Sequence, residues 1–308
     1  MLKNRIISTL RFFDLRDYPL TLLELHQFLL PEMEELKSII DGQYEIKNSS
    51  ELINTAKVPI DEIFSCLENE CSQEVQNEKG FYYLSNRQEI VQKRLENYLF
   101  GIKREHLIKK YAFGLRHIPF VRGVGLAGSQ AMGQQKESSD IDLLIIIAPG
   151  FLWLTRILVT AYFQILGLRR YGRHIANRFC LNHYLVGPKK IQQLKNIYTA
   201  GEYLNLRAIV YPQVVYEFQN QNYGWLNAFY PNAEMLKPAP EKNSFCQRIF
   251  EKAFSNKFGQ WLEKNLKKIQ LLRIRKEPYI LAEDDELSFH PNSKQQELLG
   301  QFFKTQQQ

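Results

Sequence analysis

The first hundred residues carry apolar side chains at helical spacing, interrupted by short polar segments. Residues 3–13 repeat apolar positions three and four apart, as one buried face of a helix requires. Thr21 and Glu24 match a capping box, which predicts that another helix begins there. A further helix is predicted over 59–67 and a β-hairpin over 74–84. Three helices followed by a hairpin are typical of a winged-helix module.

Short apolar runs and longer helical patterns alternate in the middle of the chain. Residues 87–118 predict a charged helix that ends before Pro119, because the residue preceding a proline is disfavoured in the helical conformation. Beyond it the predicted strands cover 120–126, 141–147 and 178–186, and the predicted helices cover 151–166 and 199–210. This arrangement predicts an α+β domain with a sheet at its centre.

The segment 151–166 is apolar enough to raise the question of a membrane span. It is shorter than the roughly 20 apolar residues that a transmembrane helix needs, and it contains Arg156. A helix that covers one face of the sheet explains it better. The N-terminal apolar stretch is interrupted by Arg11, Asp14 and Arg16, unlike a signal peptide. We therefore expect a cytoplasmic protein with no membrane partner.

The pattern beyond Pro238 is again helical. A stripe of apolar residues at intervals of three and four is expected to pack into a core, and it comprises Phe250, Phe254, Phe258, Trp261, Leu262, Leu266 and Ile269. The acidic segment 283–286 is expected to be a solvated loop, and 294–304 a closing helix. The expected parts are a winged-helix-like N-terminal module with the start of a linking helix at 1–100, a central domain at 101–212 and a helical C-terminal region at 213–308.

Charge is distributed unevenly along the 308 residues, whose net charge is +7. Residues 1–100 carry 11 Lys and Arg against 17 Asp and Glu, a net charge of −6, so residues 101–308 carry +13. Attraction to phosphates supplies most non-specific DNA affinity, so DNA binding by the N-terminal module is disfavoured. We expect this module to pack against the central domain or to contact another protein. The four cysteines fit neither a zinc nor a redox spacing, and we expect reduced, mostly buried thiols.

Two carboxylates stand at the beginning of the predicted strand 141–147. Alternate side chains of a strand share a face, so Asp140 and Asp142 are expected to point to the same side. Adjacent carboxylates repel each other, which favours a cation between them, and oxygen ligands suit Mg²⁺ or Mn²⁺. Gly128 and Ser129 end the preceding strand, where backbone N–H groups and a hydroxyl can cradle a phosphate. A phosphate cradle facing a metal pair indicates phosphoryl or nucleotidyl transfer.

The order of these features resembles the signature of the polymerase-β-like nucleotidyltransferase superfamily. The matching segments are Leu126-Ala-Gly-Ser129 and Ser139-Asp-Ile-Asp-Leu143, and the resemblance covers roughly residues 110–210. It implies the sheet of that superfamily and the transfer of a nucleoside monophosphate from an NTP to a hydroxyl group, with release of pyrophosphate. The order of the parts also looks like that of bacterial proteins described only as nucleotidyltransferase-domain proteins, which implies no substrate.

The resemblance also implies roles for individual residues. Asp140 and Asp142 would hold the metal, and Gly128 and Ser129 would hold the β- and γ-phosphates. ATP is the expected nucleotide, whereas the acceptor stays open between RNA, a protein side chain and a small hydroxylated molecule.

The superfamily normally supplies a third carboxylate from a later strand, and this sequence has none there. No acidic residue lies between Asp142 and Glu202, and Asn182 is the candidate for the third position. An amide oxygen can bind a hard cation, but it brings no charge and cannot act as a base. Glu202 and Glu217 are alternatives on predicted helices, and Glu202 is expected near a helix N-terminus, where the helix dipole favours an acid.

This missing carboxylate leaves other functions open. A catalytically degenerate relative that binds nucleotide or RNA as a sensor or partner protein is the main alternative. A DNA-binding regulator is a third hypothesis, which the charge of the N-terminal module disfavours.

The same span without acids contains eight basic residues, which create a strong local field beside the expected site. Arg169, Arg170 and Arg173 are the residues expected to contact phosphates. His174 and His183 are expected to form structural hydrogen bonds.

Overall fold

The computed structural model describes residues 1–46, 55–191, 195–274, 280–289 and 293–305, and it shows a mixed α+β protein. The elements of the N-terminal module are α1 (Leu2–Asp14), β1 (Leu20–Thr21), α2 (Leu22–Gln27), α3 (Met33–Ile39), α4 (Ile60–Asn69), β2 (Val75–Glu78) and β3 (Phe81–Leu84). The helix predicted over 87–118 is present as the linking helix α5 (Glu89–Leu107), which continues as a π-helical turn to Ala112 and a 3₁₀ turn to His117. The sequence pattern did not predict these changes of helix type.

The rest of the chain builds a second, larger sheet and the helices around it. Its elements are β4 (Val121–Leu126), α6 (Gly128–Ala131), β5 (Ile141–Ile147), α7 (Leu152–Ile165), β6 (Phe179–Val186), α8 (Ile197–Leu204), β7 (Arg207–Val210), α9 (Pro212–Phe229), α10 (Phe245–Phe254), α11 (Lys257–Arg273), β8 (Leu281–Ala282), β9 (Glu286–Ser288) and α12 (Ser293–Thr305).

The capping box predicted in the N-terminal module is confirmed. The Thr21 hydroxyl accepts a hydrogen bond from the Glu24 N–H at 3.2 Å, and the Glu24 carboxylate accepts one from the Thr21 N–H at 2.9 Å. The predicted hairpin is confirmed as β2 and β3. The pattern did not reveal β1, which completes a sheet of order β1-β3-β2, because a strand of two residues shows no alternation.

The larger sheet has the strand order β7-β4-β5-β6-β9-β8. Strands β4 and β5 are antiparallel, and β5 and β6 are parallel. The side chains of β5 alternate between two cores: Leu143 and Ile145 join the core on the side of α7, whereas Leu144 and Ile146 join the core that contains α8 and α9. Asp142 has the same parity as Leu144, so it belongs to the face that α8 covers.

The helix predicted over 199–210 is wrong in its second half. The helix α8 ends at Leu204, and residues 207–210 form the strand β7, which pairs with β4 at the edge of the sheet. A break at Asn205 separates the two, where the side-chain amide donates to the Gly201 carbonyl at 2.7 Å. Four residues with one buried side chain carry too little pattern to be separated from a helix.

The C-terminal region is not only helical, because β8 and β9 extend the larger sheet beyond β6. The prediction of a solvated loop over 283–286 is therefore wrong at its end. Glu286 is buried in β9, and its Oε1 lies 3.2 Å from His183 Nε2 on β6. This contact agrees with the structural role expected of His183. Three of the four cysteines are buried, in agreement with the expectation of mostly buried thiols, and Cys246 is exposed.

The apolar stripe of α10 and α11 is only partly a core face, which corrects the prediction. Phe254, Leu262 and Leu266 pack against the core beside α7. Phe258 and Trp261 remain exposed, with ring centroids 6.0 Å apart. The segment predicted as a core helix is α7, and within the described residues no helix combines the length and the apolar character needed to cross a membrane.

The helix α12 returns to the N-terminal module, where Phe302 is fully buried against Phe12 with ring centroids 5.2 Å apart. We expect Phe302→Ala to lower the free energy of unfolding by about 3 to 5 kcal/mol, because it removes a buried aromatic ring. Urea unfolding measures this loss. The control is Leu272→Ala at a side chain that is 88% exposed, with an expected change within about 0.5 kcal/mol. Equal losses in both variants would contradict the packing.

Candidate functional site

Gly128 brings the turn after β4 against the first residues of β5. Its φ of +62° lies in the region that favours glycine. A Cβ at this position would stand 2.5 Å from Asp142 Oδ2, so the site also requires the absence of a side chain. The Ala127 N–H donates to the Asp142 carbonyl at 3.0 Å, which joins the turn to the strand. The predicted neighbourhood of Gly128 and Asp142 is therefore present.

Asp140 and Asp142 lie at the end of the sheet where β5 and β6 begin. Cys180, the residue of β6 that pairs with Asp142, lies beside them. Ligand atoms of these three side chains all lie within 4.8 Å of one another. Arg170 completes the group, with Nη1 at 2.8 Å from Asp140 Oδ2 and at 3.1 Å from Cys180 Sγ. Two carboxylates, a thiol and one guanidinium thus meet at this end of the sheet.

The candidates for the third carboxylate separate clearly in space. Asn182 lies beside the pair, where its amide nitrogen donates to Asp142 Oδ1 at 3.3 Å. Glu202 lies near the end of α8, not near its beginning as expected, and it interacts electrostatically with Asp142. Glu217 is on the exposed side of α9. Asn182 and Glu202 therefore remain as residues of the site.

The three arginines expected to bind phosphate differ in their surroundings. Only Arg170 contacts the carboxylate pair. Arg169 donates to Gln164 at 3.4 Å, and Arg173 is exposed without an ion pair to any described residue. His174 packs against Tyr171 in the same exposed loop. The contacts thus distinguish Arg170 from its neighbours, which the run of basic residues could not do.

The N-terminal module holds the glycine loop, which we define as residues 127–135. The Tyr18 hydroxyl donates to the Met132 carbonyl, and the Arg16 guanidinium lies 3.6 Å from the Met132 sulfur. Arg16 also stacks on the ring of Tyr198 from α8, 4.4 Å from its centroid. The expectation that this module packs against the central domain agrees with these contacts.

Arg104 of the linking helix holds the segment between the glycine loop and β5. It is 4% exposed and donates to the carbonyls of Lys136 and Glu137 at 2.8 and 2.7 Å. Its Nε also donates to the Asn177 side chain at 2.6 Å. One buried guanidinium therefore positions the residues that precede Asp140.

Burial and mutual repulsion govern the electrostatics of the site. Burial, and then the charge of Asp140, raise the pKa of Asp142 to about 6, although Cys180, Arg170 and Asn182 oppose the shift. Burial raises the pKa of Glu202 to about 7, although the charge of Arg16 opposes the shift, and Asp142 adds a smaller upward contribution. Two carboxyl groups of the site thus have pKa values raised toward neutral pH, a feature common among functional residues.

The residues present fit a divalent cation. Asp140 Oδ2 is buried, and the Arg170 guanidinium forms an ion pair with it at 2.8 Å without the alignment of a regular hydrogen bond. Asp142 Oδ2 faces the side-chain-free position of Gly128. Paired carboxylate oxygens are ligands for Mg²⁺ or Mn²⁺, and the sulfur of Cys180 offers a softer donor beside them.

Sequence reasoning missed four side chains of the site. Cys180 could have been found, because it has the same parity as Asn182 on one strand and therefore shares its face. Arg16, Arg104 and Tyr198 carry no local signal, because their roles depend on contacts between distant parts of the chain.

Comparisons with protein-family models, with curated proteins and with solved structures gave no significant match to this chain in any of the three. The interpretation of the site therefore depends on its own geometry.

The raised pKa of Asp142 makes the stability of the metal-free protein depend on pH. A carboxyl group whose pKa rises on folding contributes stability below its unfolded pKa, near 4, and loses it as the pH rises through about 6. Asp142→Asn removes this loss, so we expect the variant to gain about 1 to 3 kcal/mol over the wild type at pH 8 and almost nothing at pH 4.

Urea unfolding in the presence of a chelator at both pH values measures this difference. Glu137→Gln, at an exposed acid of the same segment, is the control without a pH-dependent gain. The same gain of Asp142→Asn at both pH values would refute the electrostatic explanation.

Proposed function

We propose that this protein is a nucleotidyltransferase of the polymerase-β-like superfamily, which moves a nucleoside monophosphate from an NTP to a hydroxyl acceptor and releases pyrophosphate. The observation that carries the proposal is the contact between Gly128 and Asp142 across the ends of two antiparallel strands. A glycine turn with a free approach to paired carboxylates places a phosphate site directly beside a cation site.

The topology of the larger sheet supports this proposal. The strand that ends in the glycine turn is antiparallel to the strand that follows the carboxylates, and β6 lies parallel to the latter on its other side. Asn182 on β6 donates to Asp142 at 3.3 Å, which supports its proposed role at the position from which the superfamily is expected to supply its third ligand. We also propose that the N-terminal module has a winged-helix-like fold.

Each residue of the site has a role in the proposed reaction. Asp140 and Asp142 would hold Mg²⁺ or Mn²⁺, which would neutralise charge that develops at the α-phosphate. The N–H groups of Gly128 and Ser129 would orient the β- and γ-phosphates of ATP. Glu202, which interacts electrostatically with Asp142, would accept the acceptor's proton, because a pKa raised to about 7 allows both protonation states at neutral pH.

A catalytically degenerate protein that binds nucleotide or RNA as a sensor or partner is the second candidate. Asn182 favours it, because an amide that donates to Asp142 brings no negative charge to the metal. The acceptor in the first proposal remains RNA, a protein side chain or a small hydroxylated molecule. Incubation with labelled NTPs, Mn²⁺ and cell extract would reveal which molecule becomes labelled.

The metal site gives the first test of this proposal. We expect Asp142→Asn to lower Mn²⁺-dependent ATP affinity at least about tenfold, because it removes a ligand charge from the cation. Isothermal titration with and without Mn²⁺ measures the effect, and Glu137→Gln is the matched control. If the ATP affinity of the wild type is the same with and without Mn²⁺, the proposal is wrong.

The third carboxylate gives a second test. If Asn182 occupies the position of the third carboxylate, Asn182→Asp should raise the rate of transfer at least about tenfold and change ATP affinity less. The reason is that the added charge acts on the metal nearer the acceptor hydroxyl. If Glu202 already serves as the base, Glu202→Gln should abolish transfer and Asn182→Asp should not help. Wild-type protein that binds ATP and transfers nothing under any condition would favour the degenerate alternative.

A further inference from the structure

Arg170 already supplies a positive charge to the carboxylate site. Its Nη1 contacts Asp140 Oδ2 at 2.8 Å and Cys180 Sγ at 3.1 Å, and these are two of the three side chains that can hold a cation. A guanidinium has no lone pair to offer a metal, so it can replace a cation there but cannot bind one. Arg170 and a metal ion therefore compete for Asp140.

The position of Arg170 in the chain allows its side chain to leave. Its N–H donates to the Phe179 carbonyl at 3.0 Å, which ties the backbone to the start of β6. The side chain is nevertheless 43% exposed, whereas that of Asp140 is 17% exposed. The guanidinium can therefore move toward solvent by rotation of its own side chain, without a change in the sheet.

Charge indicates where the guanidinium would go. Two carboxylates and one arginine leave a net charge of −1, whereas a divalent cation added to them gives +1 and repels the arginine. Phosphate oxygens are the acceptors that a guanidinium binds in bidentate geometry. A triphosphate held at Gly128 would thus offer Arg170 new partners when a cation displaces it.

We infer that Arg170 is an exchangeable counter-ion, which holds Asp140 in the free protein and moves to the nucleotide phosphates when a divalent cation takes its place. This inference rests on the proposed function. It makes metal affinity low without nucleotide and high with nucleotide. Because such coupling is reciprocal, the cation must raise nucleotide affinity by the same factor.

The experiment measures Mn²⁺ binding to the full chain by the electron paramagnetic resonance signal of free Mn²⁺, with and without a non-hydrolysable ATP analogue. The wild type is compared with Arg170→Gln and with Arg173→Gln, the latter an exposed arginine of the same loop. Without nucleotide, Arg170→Gln should bind Mn²⁺ about three- to tenfold more tightly than the wild type, because the competing charge is gone. In this nucleotide-free measurement, Arg173→Gln should match the wild type, because Arg173 does not contact the carboxylates.

The coupling provides an independent readout. The analogue should raise Mn²⁺ affinity less in Arg170→Gln than in the wild type. Arg170→Lys keeps the charge without the bidentate head, so it should bind Mn²⁺ alone more weakly than Arg170→Gln does and should also couple less than the wild type. Circular dichroism establishes that each variant is folded.

The outcomes separate this inference from the proposed function. If the wild type and Arg170→Gln bind Mn²⁺ equally, or the variant binds it more weakly, the exchange is wrong and the metal site stands. If Asp142→Asn binds Mn²⁺ as the wild type does, or no variant binds it with or without the analogue, the proposed function itself fails.

Discussion

Repulsion between two carboxylates at the beginning of the buried strand β5 is the constraint on which the other features of the site depend. Asp142 pairs with Cys180 in the register of β5 and β6, and Asp140 directly precedes β5, so the backbone keeps the two carboxylates close together. The protein offsets this cost with one guanidinium and one amide, both partly open to solvent.

The N-terminal module and the linking helix explain how so small a site keeps its shape. The glycine loop and the segment after it contain backbone turns, and side chains from elsewhere also bind the carbonyls of Met132, Lys136 and Glu137. Tyr18 binds the loop from one side and Arg104 binds the following segment from the other. The N-terminal module thus acts as a structural partner of the site.

Sequence patterns predicted those parts of the fold that depend on interactions between residues close together in the chain. The capping box at Thr21, the hairpin, and the shared side of Asp140 and Asp142 follow from spacing alone, and each agrees with the structure. The strand β7 and the burial of Glu286 could not be predicted, because a short edge strand and an acidic residue gain their places only from the neighbours they pair with. The pairing of Arg170 with Asp140 was missed for a similar reason. A run of basic residues in the sequence predicts an anionic partner but does not identify which one.

The contact between Gly128 and Asp142 has a consequence for how such sequences can diverge. A side chain at 128 would collide with the carboxylate at 142, so the two positions cannot drift independently while the site is in use. A relative whose position 142 has become alanine escapes the collision, and the positive φ alone would then still tolerate asparagine at 128. Covariation of these two positions would therefore distinguish lineages that have abandoned the chemistry from those that keep it.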